Sequence, residues 1–108
     1  MKPPPETIRS THHPLLARVR AALAGRGEGE LVLEGDRLVD DARAAGFALE
    51  VVLVDEQRAE RRAELERAGC AVRAVQGAVL ASVSALERSP GCLALLPEPR
   101  RRPLAELP

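Results

Sequence analysis

Apolar positions along the chain fall into two rhythms that alternate. In LLARVRAALAGRG, Leu15, Leu16, Val19, Ala22 and Leu23 recur at helical spacing while Arg18 and Arg20 lie off the stripe. Pro14 suits the first helical turn and Gly25 the stop. Leu31-Val32-Leu33 is a short strand, and after the Glu34-Gly35-Asp36 break, Leu38, Val39, Ala42 and Ala45 mark one face of a helix ending at Gly46. The run LEVVLVDE from Leu49 is rich in branched residues and almost continuously apolar, as in a strand buried on both faces. A charged helix over 57–68 follows, with Gly69 as its stop. CAVRAV from Cys70 predicts a third strand, and residues 78–86 a helix with Val79, Leu80, Val83 and Leu86 inward. Ser89-Pro90-Gly91 turns the chain into CLALL, the last strand.

Strands alternating with helices at this pitch predict right-handed crossovers and a mainly parallel sheet covered on both faces, a three-layer α/β/α sandwich. At 108 residues and 45% apolar content, one domain with a real core is expected. It should occupy 7–97, after an extended tail over 1–6 and before a proline-rich and charged linker over 98–108. No apolar run approaches the roughly 20 residues of a membrane span, and the proline-rich start lacks the apolar centre of a signal peptide. A cytoplasmic protein without membrane contact is the expectation.

Net charge is zero but unevenly spread. Met1 to Arg26 carries five basic residues against one Glu, Gly27 to Gly69 six Arg against twelve acids, and the remainder is +2. A local basic face is thereby possible, the footprint a nucleic acid requires; a solvated charged surface accounts for the same numbers. Fifteen of the sixteen basic residues are Arg, whose planar fork pairs with phosphate and stacks on bases. Phe47 is the single aromatic residue, and its place after Gly46 predicts core packing. An aromatic base-stacking platform is excluded.

Catalytic chemistry finds no motif. The corner at Gly35 has one glycine between two carboxylates, which would repel a phosphate, so neither a Walker loop nor a dinucleotide fingerprint is present. Asp36 reads as a cap or first-turn acid. Nothing partners Glu34 as a general base. His12 and His13 are adjacent and lack metal-ligand spacing, so no metal is expected; His13 beside Pro14 can start the helix or touch a ligand. Cys70 and Cys92 lack paired spacing and read as buried, reduced thiols.

Three segments taken in order, IRSTHHPLLARVRAAL, GRGEGELVLEGDRLVDDA and SPGCLALL, resemble the amino-terminal substrate-binding domain of SpoU-type (TrmH-like) RNA 2′-O-ribose methyltransferases. His13 stands where that family usually has Asn, and Ser89-Pro90-Gly91 lacks the family's Gln before Gly. The resemblance implies that LVLEG is a fold-defining corner, with Glu34, Gly35 and Gly91 shaping turns. It implies an RNA face drawn from Arg9, Ser10, His13, Arg18, Arg26 and Arg37, with ribosomal or transfer RNA as the partner. It also implies a following knotted domain that binds S-adenosylmethionine and performs the chemistry. The 108 residues alone are expected to be inactive, free of cofactor and monomeric. The other reading of the residues is a free-standing α/β module that binds a protein or small effector through its acidic middle helices.

Overall fold

The computed structural model describes residues 6–26 and 29–98. Eight elements follow in order: α1 (Pro14–Leu23), β1 (Glu30–Glu34), α2 (Asp36–Ala44), β2 (Val51–Asp55), α3 (Ala59–Arg67), β3 (Val72–Val75), α4 (Gly77–Val83) and β4 (Cys92–Pro97). Most of the expected tail and linker, residues 1–5 and 99–108, lies outside the described residues.

The α/β sandwich stands, and its sheet is mixed. Strand order is β1-β4-β2-β3; β2 and β3 are parallel, and β4 runs antiparallel to both neighbours. The reversal has a traceable cause. Helix α4 starts where β3 ends, and two residues beyond its last residue the Ala85 N–H donates to Glu34 Oε2 at the carboxyl end of β1, at 2.9 Å. The segment after α4 is therefore at the carboxyl end of the sheet, not at the amino end where a parallel strand would have to start. Seven residues give a helix of about 10 Å, enough to cross about two strand spacings. From there β4 can only enter head-down, between β1 and β2.

Two apolar layers flank the sheet. Leu16 and Val19 of α1 and Val79, Leu80 and Val83 of α4 pack on Val51, Leu53, Leu93, Leu95 and Val75. On the other face Val39 of α2 and Leu65 of α3 pack on Val52, Val54, Cys92 and Ala94. The run Val51 to Val54 is wholly buried because successive side chains feed opposite layers. Ile8 adds a parallel bridge outside β3: its N–H donates to the Ala74 carbonyl and its carbonyl accepts from Gln76 N–H, both at 2.9 Å.

Several sequence expectations change. Phe47 is not in the core; it is 46% exposed, beside a cleft between α2 and α3 that Leu49 and Cys70 also line. Val39 and Ala42 already fill the sheet-facing stripe of α2, so the residue after its stop has no core left to enter, and Leu38 and Ala45 also face outward. Leu86 is 51% exposed because α4 stops at Val83. Cys92 is buried, whereas Cys70 precedes β3 and is only half-buried; both thiols are free. Burial pushes the Cys92 thiol up to about 11, which keeps it protonated and inert at neutral pH.

Candidate nucleic-acid interface at the carboxyl end of the sheet

Each sequence-predicted residue can be placed by its partners. Arg9 follows the Ile8 bridge and its Nη1 lies 3.2 Å from Glu56 Oε2, just past the carboxyl end of β2. Ser10 Oγ accepts the His12 N–H at 3.1 Å, and the Ser10 carbonyl accepts that of His13. His13 is the N-cap of α1, its Nδ1 accepting the Leu15 N–H at 3.1 Å. That acceptor role puts the proton of the neutral ring on Nε2. His13 thus starts the helix and keeps a donor for something else. Arg37, in the first turn of α2, is almost fully exposed, with a loose 3.8 Å contact to Asp41.

Arg18 and Arg26 are elsewhere. Arg18 bonds Glu30 Oε1 from Nε and Nη2, and Nη2 also bonds Glu50 Oε2. Those carboxylates stand at the amino ends of β1 and β2, so α1 runs down the sheet from Arg9 and Arg18 is held at the opposite end. Its hydrogen bonds to Glu30 and then Glu50 raise its already high pKa. Arg26 lies beyond the foot of α1, exposed, its N–H closing on the Ala21 carbonyl. The six residues expected on one RNA face divide between two ends of the molecule.

The fold-defining residues gather at the carboxyl end. Gly35 is the N-cap of α2 with φ 107° and ψ 150°, a region essentially confined to glycine, and its N–H donates to the Cys92 carbonyl at 2.9 Å. No atom would touch an added Cβ there, so the cost of a side chain is backbone strain alone. Gly35→Ala is expected to lower stability by about 1–2 kcal/mol, read from urea unfolding; an unchanged midpoint would refute the strain. Gly91 has φ 73°, and a Cβ there would meet Arg58 Cδ at 3.0 Å.

An ionic network missed by sequence reasoning braces this end. Arg58 forks onto both oxygens of Asp36 at 2.9 and 2.7 Å and reaches the Pro90 carbonyl at 3.2 Å. Arg61, with its side chain 8% exposed, contacts Asp36, Asp40 and Glu64 at 3.2, 2.9 and 2.5 Å. Its burial works against the charge, but the hydrogen bond to Asp40 and the surrounding carboxylates outweigh that. The Arg58 hydrogen bond holds the Asp36 carboxyl below its usual range. Of the acids read from sequence as a contact surface, Asp36 and Asp40 tie α2 to α3, while Glu64 and Glu66 pair with arginines of α3 itself. Arg73 was also missed, although a lone charge inside CAVRAV is a signal for an edge strand.

Comparisons with known proteins bear on the fold and the family. No curated protein matches the chain. Among solved structures, an RNA 2′-O ribose methyltransferase is 28% identical with a TM-score of 0.73, over 90% of this chain and 39% of that one. An rRNA methyltransferase from Sinorhizobium meliloti shares the fold at 22% identity and a TM-score of 0.71, over 94% of this chain and 40% of that one. An AdoMet-bound rRNA methyltransferase from Sinorhizobium meliloti shares the fold at 19% identity and a TM-score of 0.72. The chain thus spans about two-fifths of the length of these solved proteins. The MRM3-like substrate binding domain family matches residues 24–94, from the end of α1 into β4. Four helices on two faces of a mixed four-stranded sheet, and a family match over most of that sandwich, establish that the chain belongs to the MRM3-like substrate binding domain family.

Proposed function

We propose that this domain binds structured RNA, ribosomal or transfer, through the carboxyl end of its sheet. It would present a ribose to a following S-adenosylmethionine-dependent domain that methylates the 2′-hydroxyl. The observation that carries the reading is the exposed Arg9 to His12 segment with the half-buried His13, gathered at the same sheet end as Arg37 and the Gly35 corner. In open α/β sheets ligands settle outside the carboxyl ends of strands. With no aromatic platform, contact would rest on guanidinium forks, hydroxyls and backbone groups, which position a folded RNA by its phosphates and sugars. Arg18 is occupied by two carboxylates and serves the fold; Arg26 reaches a phosphate only in an RNA long enough to run down α1. The free cysteines support a cytoplasmic, reducing setting.

Fluorescence anisotropy with a structured ribosomal RNA fragment, across a salt series, tests this. Affinity is expected to fall steeply with salt, and Arg37→Ala to cost about 1 kcal/mol and make the salt slope shallower by about one. Arg26→Ala should cost less, and Glu66→Gln nothing. A larger loss from Arg26→Ala than from Arg37→Ala would move the face to the other end of the sheet, and absence of binding at low salt would sink the reading.

A further inference from the structure

Between the amino-terminal segment and β3 lies a cleft of about 660 Å³ lined by Glu6, Thr7, Ile8, Arg9, Ser10, His13 and Arg73. Arg73 Nη2 donates to the Glu6 carbonyl at 3.1 Å, yet its Nε is buried with no hydrogen-bond partner. A buried guanidinium N–H without an acceptor is costly. The groups around it are donors as well. His13 has its Nε2–H to give because Nδ1 is the helix cap, and Ser10 keeps its O–H because Oγ accepts from His12 N–H. The Arg9 side chain is 62% exposed, and its Nη1 lies 3.2 Å from Glu56 Oε2. The positive end of α1 opens at the same place.

We infer that this cleft is a seat for one phosphate oxyanion, with Arg73 as its floor and Arg9, Ser10 and His13 as its rim. Donors on several sides suit the non-bridging oxygens of a phosphate group, two in a diester and three in a monoester. Two Arg forks meeting one group also give orientation, which a scatter of surface cations cannot. The phosphate could be a diester of the RNA backbone, in which case the inference rests on the reading of this domain as an RNA binder, or it could belong to a free phosphorylated ligand. Arg73 would then fix the register of RNA at the β3 edge while Arg37 holds it at the β1 side.

Two titrations of the intact chain decide the matter. With inorganic phosphate at low ionic strength, the 15N resonances of Thr7 to His13 and the Arg73 side chain are expected to shift saturably. Arg73→Gln should abolish those shifts, and Arg73→Lys, which keeps charge but not the fork, should retain part of them. With the ribosomal RNA fragment, Arg73→Gln should weaken binding about tenfold. Loss in the RNA arm identifies a backbone phosphate. Saturable phosphate shifts with unchanged or absent RNA binding identify a free phosphorylated ligand, and in the second case refute the RNA reading while leaving the seat. No phosphate shifts together with parental RNA affinity in Arg73→Gln would overturn the seat alone. If Arg73→Gln weakens the Ile8 bridge, seen as a lowered melting temperature, the exposed Arg9→Gln replaces it in both arms.

Discussion

Leu53→Ala is expected to destabilise the domain by about 3–4 kcal/mol, within the range for emptying a fully buried leucine site. Leu53 has zero exposure, stands on a central strand, and faces Leu93 of β4 across the sheet. Below it lie α1 and α4, packed through Leu16, Val19, Leu80 and Val83. The site cannot collapse, because its walls are two paired strands and two helices anchored at several points. Loss of the methyl groups therefore forfeits both their removal from water and their dispersion contacts. Against a typical total of about 5–15 kcal/mol, a loss of that size is a large fraction. Urea denaturation should show the midpoint falling at unchanged slope. A change below about 1 kcal/mol would mean that the layer beneath β2 is looser than described.

Arg61→Ala should cost about 2–3 kcal/mol. Breaking a fully buried ion pair costs about 3–5 kcal/mol, but Asp36, Asp40 and Glu64 have roughly half-exposed side chains and can regain water when the guanidinium leaves. Part of the loss is the aliphatic stem wedged between α2 and α3, so Arg61→Met, which keeps that bulk, should recover some of it. The network also predicts an acid limb. Asp36 has its carboxyl pKa lowered below the ordinary 3.8, first by the hydrogen bond from Arg58. The unfolded chain then binds a proton before the folded one does. The stability contributed is present above the ordinary aspartate range and is lost as pH falls through the lowered value. Arg58→Ala should flatten that limb in pH-dependent melting; an acid limb identical to that of the parent would assign it to other carboxylates.

Both substitutions bear on function because the network and the central strands hold the carboxyl end in place. Arg58 links α2, through Asp36, to the turn before β4, through the Pro90 carbonyl. Gly91 must stay small for that bridge to close, since its Cβ position abuts the Arg58 stem. The corner at Gly35 is thereby fixed against the corner at Gly91, and the first turn of α2 keeps Arg37 at the rim.

What the sequence determined by itself is local. Periodicity identifies the eight elements to within a few residues, and Gly25, Gly46, Gly69 and Gly91 mark turns at which the backbone takes positive φ. The apolar run at Val51 requires burial on both faces, which implies three layers. The order of the short segments resembling a methyltransferase substrate-binding domain points to the family. Direction of pairing is a different matter: an apolar strand pattern reads the same whichever way its neighbour runs, so the reversal of β4 follows only from where α4 and Glu34 leave the chain. Solvent exposure of Phe47 likewise depends on a core stripe already filled by Val39 and Ala42. Ion pairing is decided across still longer separations. Arg18 finds Glu30 and Glu50, Arg58 finds Asp36, and Arg73 meets the backbone of Glu6 67 positions away. A charged side chain carries no sequence mark of its partner, because the attraction acts through space and the fold alone sets which charges come within reach.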